Sequence, residues 1–491
     1  MDILNFFKII FAIIAIVATT YIFPIITAIC CHENFWIFAV PMFCAWAAFF
    51  AIYMFTRKRP IKLTIKSTFV IVASAWISCS VFGAIPFLLS GYFHSITDAF
   101  FESVSGFTTT GATILSDVEC LPRSLNLWRC ETHWLGGMGI VALTVALFPL
   151  LGVGGFQLIK AETTGPEKGK VTPKITTTAK ILWLIYFSLT LALFVALKIC
   201  GMDVIDALSH AFSTLGSGGF STRNASIAAY NSPAIEWIIT LFMFFAGVNF
   251  SLFFYLFTGK FSEIKSNSEF KTYVILFVLI IFSVALIIRT TGAPMAGNPE
   301  GYKNFGEALR YSAFQVASII STTGFSTCNY TDWIPAAQFL IFILFFIGGS
   351  SGSTGGGIKV VRLVILVKQV KNEMLKMLHP HGIFTVRLNQ KVGRKDVVFS
   401  VASFITIYAI LVFVTTFFGC LLGPDLDIFS AFTGALSMVG NVGPAFGKLN
   451  PAANCGFLNP GLKWIYMFAM LAGRLELYTM LMFLIRDFWK K

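Results

Sequence analysis

Long apolar runs alternate with short polar ones along almost the whole chain. Runs long enough for a helix to cross ~30 Å of hydrocarbon, about 20 residues, lie near 4–29, 35–56, 67–91, 127–158, 178–200, 233–258, 272–290, 336–370, 397–422 and 461–486. The pattern predicts ten spans. Helices are the expected form, because backbone polar groups in lipid must be satisfied within the segment. Four shorter apolar pieces, 96–110, 204–218, 306–323 and 427–441, are too short to cross and too apolar for ordinary loops. Each begins near an acid (Asp98, Asp206, Glu307, Asp427), and acids suit helix N-termini. They read as re-entrant half-helices.

Each short piece runs into one phrase that the chain repeats. A serine (Ser105, Ser213, Ser318, Ser437) stands six residues before a closing glycine (Gly111, Gly219, Gly324, Gly443). The glycines lie 108, 105 and 119 residues apart, room for two spans and a shorter element per period. The chain therefore divides into a two-helix leader, 1–62, and four units: 63–160, 161–260, 261–395 and 396–491. Each unit has the form span, half-helix, phrase, span.

Composition agrees with this reading and charge adds a topology. Of 491 residues, 56% are hydrophobic, 16% aromatic and only 12% charged, whereas soluble domains carry about a quarter charged residues. The net charge of +13 would suggest nucleic acid as a partner for a soluble protein, but here its distribution serves another purpose. With the N-terminus inside, the inner segments hold 26 of the 36 Lys and Arg. By the positive-inside rule both termini are cytoplasmic, and all four phrases enter from the outer side.

Irregular backbone at membrane depth is tolerated where it lines a protein-enclosed or watery passage. Half-helices entering from outside aim their partly negative C-terminal ends at the bilayer centre. Four of them on one axis favour a cation, and small residues after each would let oxygens replace its hydration shell. The six histidines are scattered and the ten cysteines form no C-x-x-C pair, so no metal-ligand set is visible. An outer disulfide such as Cys120 to Cys130 is open from sequence alone. No paired acid and base or activated nucleophile stands in the spans, which excludes a recognisable enzyme site. His379 and His381 read as loop residues.

Two further features interrupt the apolar pattern. The run at 336–370 contains Gly348, Gly349, Ser350, Ser351, Gly352, Ser353, Thr354, Gly355, Gly356 and Gly357, a poor helix interior. It lacks the Gly-Lys-Ser/Thr ending of a phosphate loop; a plain kink and a flexible intramembrane gate both remain open. Arg474 lies inside the last run, where an arginine costs ~2.5–3.5 kcal/mol on insertion scales, so it should face a cavity or a partner. Glu476, two residues on, would point elsewhere on a continuous helix. Asn249 lines the same cavity or bridges helices.

On these residues the chain resembles the Trk/Ktr/HKT superfamily of potassium transporters, most closely the bacterial TrkH/TrkG type. The resemblance implies an all-α polytopic membrane protein with four M1-P-M2 repeats around one pore. The filter would be formed by Thr109, Thr110, Gly111, Ser217, Gly218, Gly219, Thr322, Thr323, Gly324, Asn441, Val442 and Gly443. Members with serine at the first filter glycine tend toward sodium, so Gly111 favours potassium. The resemblance also makes Gly348–Gly357 a gating loop, places Arg474 below the filter, and implies a homodimer and a cytoplasmic nucleotide-binding regulator of the TrkA type. No cofactor is expected on this chain. The alternative is a secondary transporter coupling a polar substrate or another monovalent cation to H+ or Na+. That class predicts a roomier site and inverted repeats, whereas these phrases all enter from one side.

Overall fold

The computed structural model describes residues 3–57, 64–139, 175–290, 301–302, 304–389, 391–392 and 395–490. Among these, six helices are long and apolar enough to cross a membrane singly: Ile3–Cys30, Trp36–Thr56, Lys66–Leu89, Thr177–Ile199, Ser268–Thr290 and Val397–Leu422. Large apolar side chains such as Phe50, Phe55, Leu184, Phe282 and Phe417 point outward. On a soluble protein so continuous an apolar exterior would aggregate; here it meets lipid. A two-residue antiparallel ladder, Arg387–Leu388 with Lys391–Val392, is the only sheet among the described residues.

The leader docks on the first unit through stacked rings and a borrowed cap. Tyr21 lies within 4.6 Å of the Trp128 ring and 5.2 Å of Phe82, and its hydroxyl donates to the Phe82 carbonyl. Helix Arg123–Gly137 starts after Pro122, which cannot cap it, so Glu33 from the leader does. Its carboxylate accepts from the Arg123 amide at 2.7 Å and the Ser124 amide at 3.0 Å, satisfying donors that a helix start leaves orphaned.

Three expected spans are broken. The run 233–258 splits into Pro233–Ala246 and Phe250–Phe257 at a 96° bend. Gly247 leaves room there for the Tyr273 hydroxyl, and Asn249 caps the second piece by accepting from the Ser251 amide at 2.8 Å. Asn249 is thus a helix cap at a break. The run 461–486 bends by 115° after Pro460–Arg474, with Glu476 and Leu477 both at positive φ. The expected continuous helix at Glu476 does not exist, and its side chain turns to pair with Arg362. The run 336–370 is helical only at Pro335–Leu344 and Val360–Leu378. Of the run 127–158, residues 140–158 lie outside those described.

The four short helices form where expected: Ile96–Phe107, Val204–Gly216, Phe305–Ile320 and Ile428–Gly440. Ser95, Asp203 and Asn304 cap the first three through their side chains, and Asp427 holds the cap position of the fourth. Asp98, Asp206 and Glu307 sit in first turns, where an acid meets the positive end of the helix dipole.

Candidate functional site: a ring of four turns

All four short helices end in the same turn. The amides of Thr110, Gly218, Thr323 and Val442 donate back to the carbonyls of Ser105, Ser213, Ser318 and Ser437 at 2.9, 2.9, 2.8 and 3.0 Å. This six-to-one closure needs a left-handed residue just before it. Thr109, Ser217, Thr322 and Asn441 supply it, at φ 55°, 57°, 57° and 53°. The closing glycines then take φ 76°, 83°, 84° and 96°, a region that glycine enters at no steric cost.

Space around these glycines shows how the turns meet. A side chain on Gly111 would strike the Gly218 carbonyl; on Gly219, the Thr323 carbonyl; on Gly324, the Val442 carbonyl; and on Gly443, the Thr110 carbonyl. Each turn leans on the next and the fourth returns to the first, so the four form one closed ring. The glycines open together into one vestibule of about 170 Å³. Four helix C-termini, each carrying partial negative charge, abut this ring.

Under the ring lies the glycine-rich segment, non-helical and held by three of the four units. The Ser217 hydroxyl bonds the Thr354 hydroxyl at 2.7 Å, and the Gly356 amide donates to the Thr322 hydroxyl at 2.6 Å. Gly356 has no side chain because the Gly440 carbonyl and Asn441 stand against it. Amides of Ser350 and Thr354 donate to the carbonyls of Gly247 and Ala246, which the bend there leaves free. The Glu269 carboxylate accepts from the Ser351 amide at 2.6 Å and the Val361 amide at 3.1 Å, gripping both arms of the loop. The Lys359 ammonium donates to the Gly355 carbonyl.

Arg474 joins this segment to the remaining unit. Its guanidinium donates to the Thr354 carbonyl at 2.7 Å and to the Gly137 carbonyl at 2.8 Å, and also to the Gly136 carbonyl. Gly136 and Gly137 end a helix, where a cation is favoured.

The sequence reading overlooks some residues of this centre. Glu102 and Arg129 form a buried ion pair at 2.8 Å beside the first turn. Arg129 sits in an expected span and carries the same signal that singles out Arg474. Glu269 flanks the run 272–290, and Lys359 and Arg362 follow the glycines inside 336–370, so all three look like ordinary charges at the end of a span. Beside the vestibule, hydrogen bonds from the Asn224 side chain and nearby amides hold the Asp117 carboxyl below its usual range. Ser430 does the same for Asp427. All ten cysteines are free thiols, Cys120 and Cys130 included. Among the described residues no group of three or more His, Cys, Asp or Glu could hold a metal.

A family model described as TrkH, cation transport protein, matches residues 33–491. The chain belongs to the TrkH family. Along its full length it is 35% identical to the Trk system potassium uptake protein TrkH of Vibrio parahaemolyticus, all of which it covers. Over 438 residues it is 37% identical to TrkH of Escherichia coli strain K12, with 89% of this chain and 88% of that one aligned. The crystal structure of the potassium transporter TrkH from Vibrio parahaemolyticus superposes with a TM-score of 0.86 at 33% identity, covering 100% of both chains. The architecture is that of an all-α membrane transporter of the TrkH family, and not of an enzyme.

Proposed function

We propose that this chain takes up potassium across the cell inner membrane through the ring of four glycine-ended turns. The observation that carries the reading is the closed contact of each glycine with the next turn's carbonyl. Such a ring presents backbone oxygens from four directions to a dehydrated ion. The twelve residues from Thr109–Gly111, Ser217–Gly219, Thr322–Gly324 and Asn441–Gly443 form this filter. Gly348–Gly357 is the gate beneath it, and Arg474 is both its latch and a positive charge on the path. The four units repeat one M1-P-M2 plan, and both termini are cytoplasmic. The relatives carry the name Trk system potassium uptake protein, which supports potassium as the cargo. The same reading includes a homodimer and a TrkA-type nucleotide-binding subunit that moves the gate.

The test is flux into sealed vesicles with potassium, rubidium and sodium gradients imposed separately at fixed voltage and pH. Potassium and rubidium should exceed sodium, and Gly111→Ser should erode that preference. Equal flux of all three ions, or a preference untouched by Gly111→Ser, would sink the assignment.

A further inference from the structure

Nine residues before the closing glycine, the four short helices carry Glu102, His210, Gln315 and Gly434. The first three side chains are buried, and each reaches the strand that leaves its own turn. Glu102 accepts from the Thr113 hydroxyl at 2.9 Å and the Ile114 amide at 3.0 Å. His210 bonds the Ser221 hydroxyl at 2.9 Å, while its other ring nitrogen donates to the Asp206 carbonyl at 2.7 Å. Gln315 donates to the Thr327 hydroxyl at 3.4 Å and the Cys328 carbonyl at 3.3 Å. Gly434 has no side chain, and the adjacent Thr433 hydroxyl accepts from the Phe446 amide at 3.3 Å instead.

One placement is therefore filled by three chemistries, with the neighbouring Thr433 standing in at the fourth, and the first is the strongest. Arg129 pairs with Glu102 and also donates to Asn126 at 2.9 Å and to the Ser221 carbonyl at 3.3 Å. Its guanidinium lies 4.4 Å from the Phe220 ring centre. Ser221 is the residue that His210 holds. Bonds thus run without a break from Glu102 through Arg129 and Ser221 to His210, tying the first turn to the second. Hydrogen bonds to ionised partners are roughly twice as strong as neutral ones, so this half of the ring is pinned harder than the half served by Gln315 and Thr433.

We propose that Glu102 is a positioning residue for ion selection: with Arg129 it fixes the strand above the first turn, and through Ser221 that above the second, so setting the width of the ring. This rests on reading the ring as the filter. A buried ion pair is weak evidence for net stability, whereas a fixed geometry is what discrimination between two monovalent cations demands.

The experiment measures potassium and sodium flux in proteoliposomes for Glu102→Gln, the double variant Glu102→Gln/Arg129→Gln, Gln315→Leu and Gly324→Ser. In folded Glu102→Gln the preference for potassium should fall by about tenfold, within the roughly hundredfold that ~1 Å of misplacement costs at a positioned site. The half-saturating potassium concentration should rise more than maximal flux falls. The double variant removes the uncompensated buried cation, so it should recover folding if Glu102→Gln loses it, yet stay unselective. Gln315→Leu should show a smaller shift of the same kind. Unchanged preference and half-saturation in whichever Glu102 variant folds would overturn the proposal, as would lost maximal flux with selectivity intact. If no Glu102 variant folds, a selective Gln315→Leu overturns it. Gly324→Ser keeps the two readings apart: if its selectivity is also normal, the filter itself is wrong, whereas a shift there alone condemns only the brace.

Discussion

Replacing Arg474 by glutamine should make the transporter leak. The guanidinium contacts the glycine-rich segment at the Thr354 carbonyl, 2.7 Å away, and contacts the end of helix Arg123–Gly137 at the Gly137 carbonyl, 2.8 Å away. If the segment withdraws when the path opens, only the first contact distinguishes closed from open. A hydrogen bond to a charged group contributes about 1.5–3 kcal/mol. Losing it should therefore raise the open population by about tenfold to about a hundredfold, at 1.4 kcal/mol per decade. If Arg474 lies on the cation's path, as proposed, removing its positive charge acts in the same direction.

The assay is potassium efflux from proteoliposomes loaded with the chain alone, without a regulatory subunit. Lysine at 474 separates the two contributions: it keeps the charge but lacks the planar fork that can serve carbonyls on two elements at once. If the latch dominates, Arg474→Lys leaks nearly as fast as Arg474→Gln; if the charge barrier dominates, it stays near wild type. Folded Arg474→Gln with wild-type efflux would refute both and leave Arg474 as a helix cap. Thermal melting in detergent checks folding, because the Gly136 and Gly137 carbonyls also lose their donor.

Gly443→Ala should abolish potassium preference without unfolding the protein. Its φ of 96° and the Thr110 carbonyl beside it put the cost at ~2–5 kcal/mol, from backbone strain and overpacking together; ion competition in flux assays reads the result, and retained preference counts against a tight ring. Thr322→Val keeps the shape but removes the acceptor for the Gly356 amide; basal efflux should rise several-fold, as about 1 kcal/mol for one hydrogen bond allows, and unchanged efflux would mean that this bond does not hold the gate. Asp117 and Asp427 both have carboxyls held below the ordinary range. What they add to stability is complete above the unfolded value of about 3.9 and is lost as pH falls through their folded values. Their contribution to the melting temperature should thus be flat from neutral pH to about pH 4 and fall below it, and Asn224→Ala should lower the neutral-pH value while shrinking the acid drop; an acid drop of unchanged size would disprove the Asp117 contribution.

The repeated serine-to-glycine spacing makes the four turns legible because it is a backbone requirement. The closure runs from the serine carbonyl to the residue before the glycine, so changing the spacing would break the hydrogen bond that forms it. The bends at Gly247–Asn249 and after Arg474 are hidden for the opposite reason. Hydropathy averages over a window, and one glycine or a polar pair barely lowers the mean of Pro233–Phe257 or Pro460–Leu484. Arg129 was open to the argument that identifies Arg474: a charge in an apolar run demands a partner. What sequence cannot supply is that the partner is Glu102, since helical spacing relates residues three or four apart and this pair is 27 apart across a turn.

The left-handed residues couple the ring to the glycine-rich segment through two of their side chains. A threonine at positive φ is costly, and Thr109 and Thr322 both adopt it. The conformation that turns each following carbonyl toward its neighbour also directs the left-handed side chain away from the vestibule. In two turns that direction leads to the glycine-rich segment, at Thr354 from Ser217 and at Gly356 from Thr322. In the fourth, Asn441 instead reaches the Thr110 hydroxyl and the Met470 carbonyl, each at 3.0 Å. The segment can only approach this closely because it is nearly all glycine and serine: Gly355 and Gly356 lie against the Ser321 and Gly440 carbonyls. Displacing it would deprive Ser217 and Thr322 of the partners that offset their strained backbone. Movement of the segment would therefore change the energy of the ring it abuts, through atoms that touch both.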